Sequence, residues 1–331
     1  MQIDFQHRQS AHCENGVISN LMNHNGVQVS EPLVFGIGAG LFFVYLPFLK
    51  VNFAPGFSYR PMPGFIFRRF AKQLGIKVVH KKFNSSEEAQ KILDEKLSHG
   101  IPVGLQVGVY NLTYFPDEYR FHFNAHNLVV YGKNQNEYLI SDPVMETTTT
   151  LTEKELDKVR FAKGALAPKG HLYYLESVPT QYDFEKAIKK GINKTCNDML
   201  APVPLIGVNA MKWVAKNIKK WPKKIGVKKT NHYLGQLIRM QEEIGTGGGG
   251  FRFIYAAFLE ESSRILNNPK LKELSKEMTE IGDEWRDFAL NISRVYKNRS
   301  GQENVYEELS NQLMGIAERE KKFFQELKKS I

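Results

Sequence analysis

Two textures of hydrophobic patterning divide the chain. Up to about residue 178, short apolar runs alternate with turn signals. From about 181 onward, apolar positions recur at the 3.6-residue period of helices. The change falls at Ser177–Gln181, where Ser-Val-Pro-Thr interrupts the pattern, and predicts two domains, 1–178 and 181–331. In the first, Cys13 to Asn23 reads as a helix with Val17, Leu21 and Met22 on one side, stopped by Asn25-Gly26. Ser30-Glu31-Pro32 opens a second helix, with Ser30 as cap and Pro32 in the first turn. Pro63 to Leu74 is a third, closed by Gly75. Ser85 to His99 is an amphipathic fourth, with Ala89, Ile92, Leu93 and Leu97 facing a core. Strands are expected at Ile76–Lys81, Pro102–Val109, Ala125–Tyr131, Glu137–Ser141 and His171–Glu176, with a turn at Asn134–Asn136 and a capped helix at Leu151–Leu156. Helices followed by a mostly antiparallel sheet make this half α+β. The second half carries helical periods at Phe184–Leu200, Leu205–Lys219, Tyr233–Ile244, Phe251–Leu266, Leu271–Tyr296 and Asn304–Lys329, an all-α domain.

Composition narrows the class. Across 331 residues, 42% are hydrophobic and 24% charged, the balance of a folded globular chain and not of a disordered one. Two cysteines are too few for a disulfide framework or a CxxC zinc site. The longest apolar stretch, Leu33–Leu49, is broken by Gly36, Gly38, Gly40 and Pro47 and is too short to span a bilayer. Met1–Gln9 has no signal-peptide core, so a cytoplasmic location is expected. His122 and His126 have no third ligand at metal spacing, and no metal is expected.

The formal charge of +10 favours acidic partners. Between Val203 and Thr230 lie eight lysines and no acid: Lys212, Lys216, Lys219, Lys220, Lys223, Lys224, Lys228 and Lys229, with Trp213 and Trp221 among them. Such a stretch suits an acidic protein or a peripheral contact with anionic membrane, or is simply a solvated face. No nucleic-acid module is present, and nucleic acid is not an expected partner. Gly36-Ile37-Gly38-Ala39-Gly40 follows no strand and is not a dinucleotide loop. The run Gly245–Gly250 precedes a helix near Phe251. Gly247, Gly248 and Gly249 with Arg252 could cradle a phosphate, or the run is a flexible turn. Without a GK[ST] ending it is not a nucleotide P-loop.

Cys13 stands where a helix should begin, and the free amides and positive dipole end of a helix favour a thiolate. A free cysteine is as readily a small core residue. His126 starts the apolar strand AHNLVVY and Asp142 ends EYLISDP. If a hairpin joins these strands, the start of one lies beside the end of the other, and the sixteen-residue separation places His126 next to Asp142. A nucleophile, a base and an orienter would then be present.

The run His12-Cys13-Glu14-Asn15-Gly16, with Ser30-Glu31-Pro32-Leu33-Val34-Phe35-Gly36-Ile37-Gly38 and Gly40-Leu41-Phe42-Phe43, resembles the butirosin-biosynthesis acyltransferase family. Ile244–Gly249, Phe251-Arg252, Tyr255-Ala256 and Phe258-Leu259 resemble its helical second domain. The resemblance implies a papain-like N-terminal domain, a triad of Cys13, His126 and Asp142, and no bound cofactor. It also implies an acyl carrier protein as partner, whose 4'-phosphopantetheine thioester donates an acyl or aminoacyl group through acyl-Cys13 to an amine or hydroxyl. That chemistry would serve the biosynthesis of a specialised metabolite or lipid. A cysteine peptidase or amidase with the same triad is the alternative. Peptidases related to this family place a glutamine shortly before the cysteine as oxyanion donor. Here Gln9 is the side-chain candidate and the Cys13 backbone N–H the other.

Overall fold

The structure, a computed structural model, describes residues 1–297 and 304–331. Helix α1 (Cys13–His24) starts after an extended His12 and ends at Asn25, whose amide returns to Leu21 and Met22. Helix α2 (Glu31–Ile37) is capped by Ser30, whose hydroxyl accepts from the Leu33 amide at 3.2 Å. Next comes a hairpin, β1 (Val44–Val51) and β2 (Ala54–Ser58), in a region to which the sequence pattern assigns no element. Its turn residues Asn52 and Phe53 both take positive φ, 50° and 63°. Short hairpins demand that geometry, but usually announce it with Asn-Gly; a phenylalanine in the glycine position hides the signal.

Helix α3 (Phe65–Leu74), strand β3 (Lys77–Lys81) and helix α4 (Ser86–Ser98) follow. Ser85 caps α4 by accepting from the Glu88 amide, as the Ser-Ser-Glu-Glu start implies. Strand β4 (Val103–Val107) leads through an irregular aromatic segment to β5 (His126–Asn134) and β6 (Glu137–Ser141), which close on a two-residue turn at Gln135-Asn136. Strand β7 (Thr149–Thr152) forms from a threonine run that reads as low complexity but whose β-branched side chains suit a strand. Helix α5 (Glu153–Arg160) opens with a capping box between Thr152 and Glu155. Strand β8 (Leu172–Ser177) is last. Then come α6 (Phe184–Met199), α7 (Gly207–Ile218), α8 (Trp221–Ile225), α9 (Val227–Ile238), α10 (Arg252–Ile265), α11 (Pro269–Tyr296) and α12 (Val305–Lys329). This is the expected α+β class with a helical C-terminal part. No helix among the described residues is long and apolar enough to cross a membrane.

The chain divides into two compact units. The first comprises Met1–Val34 and Phe67–Tyr182, and the second Phe35–Ile66 and Asp183–Ile331. This grouping differs from the linear split of 1–178 and 181–331: residues 35–66 group with the helical part. The reason is specific. The Tyr45 amide donates to the Leu205 carbonyl at 3.1 Å, the Gly207 amide donates to the Phe43 carbonyl at 2.8 Å, and Phe43 and Tyr59 pack on Trp285.

In the first unit, six described strands make one antiparallel sheet in the order β3-β8-β4-β5-β6-β7. The buried residues Leu93, Leu97, Leu105, Leu128, Val130, Ile140 and Leu156 close a core between α4, α5 and this sheet. Leu128 and Val130 are both enclosed on β5, so the strand is held firmly along its length.

In the second unit, the buried centre holds a charge. Arg252 is fully enclosed and donates to both oxygens of Glu320, at 2.9 and 3.0 Å, and to the Gly250 carbonyl at 2.8 Å. Its guanidinium lies 4.9 Å from the Trp285 ring centre, and the indole N–H donates to Glu320 at 2.7 Å. This corrects the phosphate reading. Arg252 is committed to an internal carboxylate. The Gly249 amide donates to Glu242 at 3.1 Å and the Gly248 amide to the Thr246 hydroxyl at 3.1 Å. Gly247 to Gly250 are there because all four take positive φ, a path that side chains resist. The lysine stretch is also revised: Trp221 is buried against Tyr233, and Lys212 pairs with Glu318 at 2.5 Å, so neither belongs to an open basic face.

Removing one partner of a buried, bidentate ion pair strands the other charge, at about 3–5 kcal/mol. Glu320→Gln should therefore lower unfolding stability by about that amount in urea titration. A loss under about 1 kcal/mol, the range of surface pairs, would mean that the pair does not anchor this unit.

Candidate active site

The antiparallel ladder sets the site. Val129 pairs with Ser141 across β5 and β6. One step further along this register sets Asp142 opposite Leu128, on the face His126 shares two residues away. Such diagonal neighbours are within side-chain reach. The His126 Nε2 N–H donates to Asp142 Oδ2 at 2.6 Å. The imidazole also hydrogen-bonds Cys13, so the structure brings together the His126–Asp142 pair that the spacing predicts and the Cys13 that the family resemblance adds to it. Exposure is graded: Cys13 keeps 6% and His126 5%, while Asp142 is at 0%. All three side chains are thus buried, the carboxylate most completely.

Electrostatics favour a charged imidazole. Burial alone pushes the His126 pKa down. The negative charges of Asp142 and Cys13, and hydrogen bonds to both, outweigh it and raise the value from 6.5 to about 10. An imidazolium held beside a sulfur at a helix start is the setting in which a thiolate is stable near neutral pH.

Asp142 is itself anchored from two sides. The Tyr114 hydroxyl donates to Oδ2 at 2.7 Å, and the Val144 amide donates to Oδ1 at 3.2 Å. Tyr114 is half-buried, and burial of the phenol first, then the Asp142 carboxylate, hold it well above the ordinary range, so it stays a donor. Phe115 sets its ring edge-on to His126 at 5.5 Å between centres. From sequence, the aromatic segment Tyr110–Phe123 reads as a lid or tunnel wall for an apolar chain or as a buried aromatic core, and neither reading gives Tyr114 or Phe115 a place beside the triad.

Helix α1, which carries Cys13, is clamped to the same loop. The Ser10 amide donates to the Pro143 carbonyl at 2.6 Å. A Cβ on Gly16 would lie 2.5 Å from the Pro143 Cβ and 2.7 Å from the Ser10 Cβ, so only glycine permits this approach. Glu31, read from sequence as part of a helix start, does more. Its carboxylate accepts from the Ala11 amide at 3.0 Å and the His12 amide at 2.7 Å, fixing the turn that delivers Cys13. A contact across twenty residues has no local signature. Gln9, the side-chain candidate for oxyanion donor, is solvent-exposed on the segment before α1. The backbone N–H of Cys13, at the start of α1, is the remaining candidate for an oxyanion donor.

Two pH effects follow from His126. Its folded pKa lies above the ordinary 6.5, so protonation there stabilises the fold fully below about pH 6.5, and the contribution fades as pH rises through about 10. Asp142→Asn removes the carboxylate's charge, so the His126 imidazole should lose its proton at lower pH in an NMR titration. An unchanged midpoint would show that Asp142 does not set the charge of the imidazole.

Residues 12–143, which span Cys13, His126 and Asp142, match the family model described as butirosin biosynthesis protein H, N-terminal. Residues 154–327, more than half of the chain, match a domain of unknown function, DUF4872. No curated protein sequence matches the chain. Among solved structures, the chain is similar to that of a candidate C39-like peptidase from Bacillus anthracis, at 15% identity and a TM-score of 0.39, over 54% of this chain and 100% of that one. The chain therefore belongs to the DUF4872 family, with an N-terminal domain of the butirosin biosynthesis protein H kind.

Proposed function

We propose that the protein is a cysteine-dependent acyltransferase that takes an acyl or aminoacyl group from the pantetheine thioester of a carrier protein and passes it to an amine or hydroxyl. The observation that carries this reading is the imidazole of His126, hydrogen-bonded to Cys13 on one side and to the buried Asp142 on the other. A Cys at a helix start, a His at a strand start and an Asp just past the paired strand have the papain-like order, and the butirosin-type match spans all three.

The steps balance as follows. The Cys13 thiolate attacks the thioester carbonyl, and helix-start amides receive the negative oxygen. The carbon–sulfur bond to pantetheine breaks, and the departing thiolate takes the proton from the His126 imidazolium. Acyl-Cys13 and neutral His126 remain. The acceptor amine or hydroxyl enters, His126 takes its proton, and collapse of the tetrahedral intermediate expels the Cys13 thiolate beside a restored imidazolium. Asp142, held by Tyr114 and the Val144 amide, keeps the ring oriented in both halves. Exchange of one thioester for another is nearly balanced, so access of water to acyl-Cys13 decides between transfer and hydrolysis.

Incubation with acyl-loaded carrier protein should add the acyl mass to the chain, seen by intact-mass spectrometry. Cys13→Ala should remove the adduct and cut turnover by at least about a thousandfold. Release of free acid with no acceptor consumed would make the enzyme a peptidase- or amidase-like hydrolase. An adduct that persists in Cys13→Ala would refute Cys13 as the nucleophile.

A further inference from the structure

The hairpin of β1 and β2 exposes what a soluble surface normally hides. Phe48 is 73% exposed and Phe53 88%, with Leu49 and Val51 open beside them. Phe53 sits at the turn with a left-handed φ of 63°, a conformation that is costly for a bulky side chain and that glycine or asparagine would adopt more cheaply. The tip is therefore both strained and apolar. It is also held in place: His232 Nε2 donates to the Asn52 carbonyl at 2.6 Å, and Lys50 lies over the Tyr233 ring at 5.4 Å. These contacts set the tip beside the start of α9.

The hairpin and the helical stretch it rests on carry one sign of charge. Residues 35–66 and 199–241 contain no aspartate or glutamate. Lys223, Lys224, Lys228 and Lys229 are exposed, and among the described residues none of them has a carboxylate partner. Between tip and helix opens a cleft of about 770 Å³ whose described lining includes Phe53, Ile225, Val227, Lys228 and Tyr296 and no acid.

We propose that this face docks on an anionic lipid bilayer. Phe48, Leu49 and Phe53 enter the interface between headgroups and acyl chains, while the four lysines meet lipid phosphates and carboxylates. An acidic protein would satisfy the lysines too. It would leave a projecting aromatic tip in need of a matching pocket, whereas a bilayer receives such a tip without one. The face lies wholly within the second unit and makes no use of the Cys13 chemistry.

The test is flotation of the full chain with vesicles of phosphatidylcholine and phosphatidylserine, and with phosphatidylcholine alone. Wild type should float with the anionic vesicles and lose them as salt rises. The double variant Phe48→Ser, Phe53→Ser should weaken binding at least about tenfold. Each of Lys223→Gln and Lys228→Gln should weaken it roughly fivefold. Thermal unfolding should be unchanged in all three, because the side chains are exposed. Cys13→Ala should float as wild type does, which keeps this result apart from the acyl-transfer reading. Failure of wild type to float with anionic vesicles at low salt would overturn the proposal. So would a double variant that floats undiminished, or loss of carrier-protein binding in these variants with no vesicle binding in wild type.

Discussion

The first unit depends on one buried contact, the 2.6 Å hydrogen bond between His126 and Asp142. A fully enclosed carboxylate is costly unless it is paired. Here the cost is offset by three donors: an imidazolium, a phenol and a backbone amide. Each comes from a different element, so the carboxylate ties the first residue of β5, the loop after β6 and the aromatic segment after β4 into one arrangement. The same charge that satisfies the fold raises the basicity of the ring that faces the sulfur. Structural and chemical demands are met by a single interaction.

A second layer fixes the sulfur relative to that ring. Gly16 lets α1 lie against Pro143, and Glu31 holds the two amides that precede Cys13. Two of the motif positions that carried the family resemblance thus have physical explanations: the glycine of His-Cys-Glu-Asn-Gly is there for clearance, and the glutamate of Ser-Glu-Pro is there as an acceptor at long range. The neighbouring Glu14, also buried, accepts from the Phe67 amide at 3.2 Å and so ties α1 to α3.

What the sequence made legible, it made legible through period and register. The β5–β6 hairpin could be read from two apolar runs around Asn134–Asn136, and strand geometry then brought His126 to Asp142. The place of Cys13 at a helix start left it open as nucleophile or small core residue, and the family resemblance joined it to the pair. Tyr114 could not be read, because an irregular segment has no register. The β1–β2 hairpin was hidden by Phe53 in the position where glycine is expected. The glycine run before α10 was legible as a special backbone path, but its acceptors, Glu242 and Thr246, and the distant partner of Arg252, Glu320, are known only once the helices are packed. A charged motif in a sequence does not say whether its counter-charge is a ligand or the chain itself.

The two thiols have opposite fates under oxidative stress. Cys196 is fully enclosed on α6, and burial pushes its pKa up to about 12, which leaves it inert. Cys13, beside the charged His126 ring, has the surroundings that favour oxidation of a thiol. Once converted to sulfenic acid it has no resolving cysteine of its own to form a protective disulfide with. Recovery of the free thiol must then come from a small thiol of the surroundings, and over-oxidation to sulfinic or sulfonic acid would be irreversible.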